Sequence, residues 1–381
     1  MSAHFKKCTA FLLAAALACV MFSVIGAVRR AHAFTGSAES MIVIERDTGR
    51  VLNEKNADKR RPMASTTKIA TAITVIERVN DLDKKVKVPA QAAGVEGSSI
   101  YLEKDEELTV RDLLYGLMLQ SGNDCAVALA VTTAGSIQNF ASMMNETAAR
   151  AGAENTNFVN PHGLHDENHY TTARDLAAIA AYAMKNETFR NIVSTKRYTA
   201  PWQGRDYDRV IVNKNKILST FDGGDGVKTG YTKKAGRCLV SSATRDGMSV
   251  IAVVLNCGPM FEYCRMLMDE AFKKYKLRDV VEGADIKTAA LVTEGKAQSV
   301  ALGSGKKYFY PMTDSEYASL RYEIEDVKPM RAPVNIGDEN GKIKIFSGNR
   351  LLFETKLYSI EAVAPLSVAD RLEDIVKRWN G

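Results

Sequence analysis

β-Branched strand segments lie at both ends of a long helical stretch, and this order limits the folds open to the chain. Residues 40–56 alternate as two short strands around an Asp-Thr-Gly turn. The strong candidates for central strands, CLVSSAT and MSVIAVVLNC, come only after residue 237 and flank an Arg-Asp-Gly turn that suits a hairpin. Between these ends apolar residues recur every three or four positions, which indicates helices. A sheet that takes strands from both ends of a helical stretch predicts an α+β domain.

Helix starts are visible inside that stretch. Thr109 and Asp112 have the spacing of a capping box, as have Thr172 and Asp175, and each pair precedes an apolar periodic segment. Another helix is predicted over residues 137–151.

From about residue 278 the chain changes to short strand candidates separated by Gly, Asp and Asn. We therefore predict a domain over 34–277, a small all-β domain over 278–365, and a terminal helix over 366–381. That helix carries an apolar stripe formed by Val368, Leu372, Ile375, Val376 and Trp379.

The first 33 residues are typical of a secretory signal peptide. Lys6 and Lys7 precede a long apolar run, and the small residues Ala31 and Ala33 fit a cleavage site. An uncleaved membrane anchor and a lipoprotein cut before Cys19 are the alternatives. Export is predicted in each case.

Most of the excess of basic over acidic residues in the chain comes from this segment. The formal net charge is +6, but the segment holds four basic and no acidic residues, so little excess charge remains after it. Nothing in that balance indicates nucleic acid binding. Four cysteines follow residue 33 without a C-x-x-C spacing, so neither a zinc site nor a disulfide framework is predicted.

Ser65 and Lys68 stand three positions apart at the start of an apolar helix, within residues 60–72. Side chains at this spacing meet on one helix face. An ordinary lysine is a cation at neutral pH, but burial beside a second cation can make it a general base. A second S-x-x-K, Ser304 to Lys307, lies in a glycine-rich stretch without a helical pattern and is interpreted as chance.

A second motif, Ser121-Gly122-Asn123, falls at a junction between two predicted helices. The Ser121 hydroxyl could relay a proton and the Asn123 amide could hold a peptide. A helix cap is the alternative explanation of the same residues. A similar S-x-N, Ser347 to Asn349, is interpreted as a hairpin turn in the β-rich domain.

The third motif, Lys228-Thr229-Gly230, occurs on a predicted strand. A cation and a hydroxyl there could bind a carboxylate, and the glycine would let a substrate backbone lie close. Lys228 would also supply the second positive charge near Lys68. A solvated lysine on a strand edge is the alternative.

In this order and context the three motifs resemble those of the penicillin-recognising serine enzymes. The chain is most similar to the low-molecular-mass D-alanyl-D-alanine carboxypeptidases of peptidase family S11. The resemblance extends to LMLQSGNDCAVALA, to NFVNPHGLHDENHYTTARDLA and to DGVKTGYTKKAGRCLVSSA. It implies a β-lactamase/transpeptidase-like domain, an antiparallel sheet with a helical cluster, followed by the small all-β domain.

The resemblance also implies roles for the motif residues. Ser65 would be the acylated nucleophile, Lys68 its base and Ser121 a proton shuttle. The remaining implied roles concern substrate: Asn123 positions the peptide, Lys228 and Thr229 bind the carboxylate beside Gly230, and the N–H groups of Ser65 and Tyr231 form the oxyanion hole. Arg265 is a further candidate for the carboxylate.

The implied substrate is a peptidoglycan stem peptide ending in D-Ala-D-Ala, with β-lactams as covalent inhibitors and no cofactor. A membrane contact through the terminal helix is implied as well, and docking of its apolar stripe on the β-rich domain is the alternative. A β-lactamase and a non-catalytic wall-binding protein are the alternative functions. This sequence has no E-x-x-L-N motif, which a β-lactamase would need for deacylation. The intact motifs disfavour a non-catalytic protein. His162, His165 and His169 invite a metal hypothesis, but their spacing favours a structural loop.

Overall fold

The fold is described from a computed structural model, which covers residues 38–283 and 286–379. The predicted signal segment lies outside these residues. Within them, no helix has the length and apolar character needed to cross a bilayer.

Within the described residues the strands form a five-stranded sheet before residue 256, called the main sheet here, a six-stranded sheet in the C-terminal part and three two-stranded sheets. In chain order the strands are β1 (Ser40–Glu45), β2 (Val51–Lys55), β3 (Lys85–Lys87), β4 (Glu107–Thr109), β5 (Arg197–Ala200), β6 (Arg209–Val212), β7 (Gly224–Thr232), β8 (Gly236–Arg245), β9 (Met248–Leu255), β10 (Lys276–Asp279), β11 (Thr288–Thr293), β12 (Ser299–Gly303), β13 (Phe309–Met312), β14 (Leu320–Glu325), β15 (Met330–Arg331), β16 (Glu339–Ser347) and β17 (Arg350–Ser359).

Helices fill the interval between the first and last strands of the main sheet and also follow it. They are α1 (Lys68–Arg78), α2 (Val110–Tyr115), α3 (Asn123–Ala134), α4 (Ile137–Arg150), α5 (Ala173–Met184), α6 (Glu187–Ser194), α7 (Ile217–Thr220), α8 (Met260–Lys274), α9 (Val280–Gly283), α10 (Asp314–Ala318) and α11 (Val368–Trp379).

The main sheet is antiparallel throughout, in the order β2-β1-β9-β8-β7. It therefore combines strands from both ends of the helical stretch, as predicted. Strand β9 is buried at every position, which suits its central place. Strand β7 lies at an edge, where one side of its backbone is free to meet another segment.

Each face of the main sheet has its own apolar core. Helices α1 to α6 pack on one face, where Ile42, Val240 and Val253 point. Helices α7 and α8 cover the other face, where Val43, Leu239 and Val254 point. The alternation follows from the two-residue period of a strand. The predicted α+β class is confirmed.

The C-terminal part is a separate all-β unit with its own apolar core. Its largest sheet has the order β14-β16-β17-β12-β11-β15, and β10 pairs with β13. The predicted small all-β domain is confirmed as part of the fold class.

The two predicted capping pairs begin helices, but they differ in detail. At α2 the side chains of Thr109 and Asp112 each bond the other's backbone N–H. At α5 Thr172 accepts from the Asp175 N–H, whereas the Asp175 carboxylate binds Asn155 and Thr156. The second pair is therefore half a capping box, because a neighbouring loop uses its carboxylate.

Candidate active site

Ser65 lies in a tight 3₁₀ turn, Ala64–Thr67, that leads directly into α1. Ala64 has a φ of +50°, which is uncommon for a residue with a Cβ. Ser65 is partly exposed, while the three residues after it are buried. The turn presents one hydroxyl at the surface of an otherwise buried helix start.

The amine of Lys68 is buried and has three oxygen neighbours. Its Nζ lies 3.0 Å from Ser65 Oγ, 2.7 Å from Asn123 Oδ1 and 2.6 Å from the carbonyl oxygen of His162. The amide and carbonyl oxygens can only accept hydrogen bonds. A neutral amine has two N–H groups for these acceptors, so its lone pair is left for the Ser65 hydroxyl.

Burial and neighbouring cations favour that neutral form. Desolvation, followed by the positive charge of Lys228, holds the pKa of Lys68 well below its ordinary value. Burial beside Lys214 lowers the pKa of Lys228 to about 7. Lys228 and Lys214 are the two neighbouring lysines whose positive charge lowers the pKa of Lys68.

The second motif begins where α2 loosens into a π-helical turn, Gly116–Gln120. The next residue, Ser121, has left-handed backbone angles and is 5 % exposed. Asn123 then starts α3, and its amide is held at both ends. Its Nδ2 donates to the Glu96 carbonyl at 2.6 Å, while its Oδ1 accepts from Lys68. Asn123 thus orients the amine in addition to its implied contact with substrate.

The third motif lies on edge strand β7, next to the turn that holds Ser65. A Cβ built on Gly230 would lie 3.0 Å from the Ser65 nitrogen, so glycine allows this close approach. The buried Lys228 donates from Nζ to the Thr229 carbonyl at 3.0 Å. Tyr231 is 63 % exposed and faces Arg237 of the neighbouring strand.

Lys68 therefore contacts both Ser65 and Asn123 directly, and strand β7 lies beside the turn that holds Ser65. Sequence reasoning missed the His162 carbonyl and Lys214. Every residue has a main-chain carbonyl, so the residue type at position 162 gives no indication that its carbonyl accepts from Lys68. Lys214 was detectable only as one of many lysines, and its backbone N–H bonds the Leu119 carbonyl near the second motif.

The other candidates lie elsewhere or have structural roles. Ser304 bonds within its own loop, and Ser347 pairs with Arg350 at a hairpin end. Cys125 is buried in the core, as predicted. Arg265 lies on α8, on the face of the sheet away from α1, and pairs with Glu262.

A serine and a lysine on a helix start, a buried asparagine amide and an edge strand define a penicillin-recognising serine peptidase of the transpeptidase-like class. A family model described as D-alanyl-D-alanine carboxypeptidase matches residues 27–258, and the C-terminal domain of penicillin-binding protein 5 matches residues 275–365. The chain belongs to the D-alanyl-D-alanine carboxypeptidase family.

Individual relatives agree over nearly the whole length. The chain is 32% identical to the D-alanyl-D-alanine carboxypeptidase DacF of Bacillus subtilis (strain 168) over 92% of each chain. It is 34% identical to DacA of Escherichia coli (strain K12), over 90% of this chain and 89% of the relative. The structure of penicillin binding protein 5 from Haemophilus influenzae matches with a TM-score of 0.69 and 28% identity, covering 86% and 98% of the two chains. The predicted class of enzyme, a serine-type, penicillin-binding carboxypeptidase, is confirmed.

Proposed function

We propose that this chain removes the terminal D-alanine from peptidoglycan stem peptides through an acyl-enzyme on Ser65. The observation that carries the proposal is the set of contacts around Lys68. Two acceptor oxygens occupy its N–H groups, and the third neighbour is the Ser65 hydroxyl. A neutral amine so placed can remove the hydroxyl proton.

The proposed reaction has two halves. Ser65 Oγ attacks the carbonyl carbon of the penultimate D-alanine, and Lys68 takes the proton. The resulting oxyanion accepts hydrogen bonds from the N–H groups of Ser65 and Tyr231. The C–N bond then breaks, and Lys68 passes its proton through Ser121 to the leaving amine, which returns Lys68 to the neutral form. Lys68 then deprotonates a water molecule that attacks the ester carbonyl carbon; the bond to Ser65 Oγ breaks, and Lys68 returns the proton to that oxygen.

Substrate orientation in this proposal depends on strand β7. Lys228 and Thr229 bind the terminal carboxylate, and Gly230 lets the peptide approach the strand. Asn123 contacts the peptide while it holds Lys68. β-Lactams acylate the same oxygen, because they present a reactive carbonyl and a carboxylate in the same arrangement.

Mass spectrometry after benzylpenicillin treatment tests the nucleophile. We expect one adduct on the wild type and none on Ser65→Ala. Ser304→Ala is the matched control, since it removes the serine of the other S-x-x-K and should leave the adduct intact. An adduct that persists on Ser65→Ala would contradict the proposal. Free D-alanine released from a D-Ala-D-Ala pentapeptide measures the activity itself.

We also propose the domain division 34–277, 278–365 and 366–381, with export directed by residues 1–33. The separate apolar cores before and after residue 278 support the division. Strand β10 crosses the proposed boundary and pairs with β13, so the connection is short and continuous. Export agrees with a substrate that lies outside the cell membrane.

Peripheral membrane contact through α11 is the last part of the proposal. The five residues of its apolar stripe are all at least 53 % exposed, and Trp379 is 88 % exposed. Such a stripe can lie in a membrane interface. Leu372→Ser combined with Trp379→Ser should reduce sedimentation with anionic lipid vesicles. Ile336→Ser, a similarly exposed apolar site in the β-rich domain, should not.

A further inference from the structure

The loop that carries His162, His165 and His169, called the histidine-rich loop here, packs directly against the turn that carries Ser65. A Cβ built on Gly163 would lie 2.0 Å from the Ala64 carbonyl oxygen, and the His162 carbonyl accepts from Lys68. The same loop thus touches the residue before the nucleophile and the amine that would deprotonate it. Its side chains have no role in the reaction proposed above.

His169 connects this loop to the turn through Thr67. The imidazole Nε2 lies 2.8 Å from Thr67 Oγ1, and Thr67 Oγ1 donates to the Ala64 carbonyl at 2.8 Å. On the other side of the ring, the Val159 N–H donates to Nδ1 at 3.2 Å. Both His169 and Thr67 are at most 3 % exposed.

These contacts determine where the protons lie. Because Nδ1 accepts from Val159, the ring hydrogen must be on Nε2. Thr67 has a single hydroxyl hydrogen, which goes to Ala64, so it must accept from His169. The chain of donors thus runs from Val159 through His169 and Thr67 to the Ala64 carbonyl. Burial lowers the pKa of His169 to about 4, which keeps the ring neutral.

The last acceptor in this chain belongs to the peptide bond between Ala64 and Ser65. The N–H of that peptide is the proposed oxyanion donor, and its plane is fixed by the carbonyl at its other end. Ala64 holds a positive φ, a conformation that surrounding contacts must maintain.

We propose that His169 is a positioning residue for the reaction, acting through Thr67 to orient the Ala64–Ser65 peptide. The proposal rests on the nucleophilic role of Ser65. It assigns His169 no contact with substrate. Loss of the link lets the peptide rotate, which misdirects both the Ser65 N–H and its hydroxyl.

Three substitutions test the link. His169→Phe keeps a ring but removes both nitrogens, and Thr67→Val removes the hydroxyl at almost constant shape. His169→Gln retains a donor at the position of Nε2. His165→Phe is the matched control, because His165 lies in the same loop, is exposed, and pairs with Glu167.

The rate of Ser65 acylation by benzylpenicillin, and kcat and KM for D-alanine release, are measured well below each variant's unfolding temperature. We expect His169→Phe and Thr67→Val each to lower acylation and kcat by about tenfold or more, with KM changed less. The double variant should be no slower than the slower single variant, because both break one link. His169→Gln should recover most of the rate, and His165→Phe should match the wild type.

Acylation of folded His169→Phe within twofold of the wild-type rate would overturn the proposal, as would independent, multiplying effects in the double variant. If His169→Phe does not fold, Thr67→Val decides, since it leaves the ring in place. A wild-type protein that forms no adduct on Ser65 would instead contradict the proposed function.

Discussion

The Nζ of Lys68 lies 2.6 Å from the main-chain carbonyl of His162, a residue 94 positions further along the chain. This contact, with the 2.7 Å contact to Asn123, occupies both N–H groups of a neutral amine. The lone pair then points to Ser65. Residues from two other segments therefore determine the direction of the Lys68 lone pair. Several consequences of this arrangement can be measured.

Asn123→Asp should raise the pKa of Lys68. The new carboxylate would lie where Oδ1 now accepts, and a negative charge there favours the protonated amine. We expect benzylpenicillin acylation at pH 7 to fall roughly 100-fold. The acid limb of the pH–rate profile should move to higher pH, which stopped-flow acylation across a pH series would measure.

Asn139→Asp is the control for that change, since this residue is exposed in the first turn of α4. It should leave the profile unmoved. An Asn123→Asp enzyme with an unshifted acid limb would show that the amide does not govern the amine.

Gly163→Ala should damage the site more than its backbone angle alone predicts. The added Cβ would meet the Ala64 carbonyl at 2.0 Å, and the residue also has a φ of +89°. Gly152→Ala carries a similar φ of +82° with no atom within 4 Å, so it isolates the conformational cost.

We expect Gly152→Ala to lower the free energy of unfolding by about 1 kcal/mol with normal acylation. Gly163→Ala should lose several times more stability and most of its acylation rate. Chemical denaturation and adduct formation measure the two effects. Equal behaviour of the two variants would rule out a specific role for the contact with Ala64.

The buried ion pair between Arg209 and Glu106 should matter greatly for stability. Both side chains are at most 4 % exposed, and the guanidinium also donates to the Ile100 carbonyl. Glu106→Gln leaves a buried charge without its partner, so we expect a loss of about 3–5 kcal/mol in the free energy of unfolding.

The exposed pair of Arg111 with Asp83 provides the comparison. Asp83→Asn should lower the free energy of unfolding far less than Glu106→Gln does, because solvent screens this pair. Urea denaturation of both variants gives the two values. Similar losses in the free energy of unfolding would mean that burial does not increase the contribution of the Arg209–Glu106 pair to stability.

Stability should fall as the solution becomes acidic, because the buried His169 and the partly buried His162 are neutral in the fold. Burial lowers the pKa of His162 to about 3 and that of His169 to about 4, below the ordinary 6.5. The unfolded chain therefore binds protons that the folded chain does not. Their contribution is complete above pH 6.5 and is lost progressively as the pH falls through 4, for His169, and toward 3, for His162.

Melting temperature measured from pH 7.5 to 4 should show this loss, and His169→Phe should flatten it. His165→Phe should not, since that residue is exposed. A slope identical in both variants would assign the acid sensitivity to other groups.

Local sequence signals predicted much of the architecture. The Thr109–Asp112 capping box, the hairpin between β8 and β9 and the helix over 137–150 depend on neighbours in the chain, so they could be recognised without a fold. The second capping pair was only half right. Its carboxylate binds Asn155 and Thr156, and no local pattern shows that competition.

The amino-acid sequence by itself determined which groups could do the chemistry: a serine and a lysine one helical turn apart, the S-x-N segment and the strand lysine. Only the tertiary structure decided that Lys68 is buried beside Lys228, that a distant carbonyl orients its amine, and that Gly163 supports the turn at Ala64. The reason is physical. Desolvation, charge proximity and close backbone contact depend on distances between segments far apart in the chain, and residue types alone do not fix those distances.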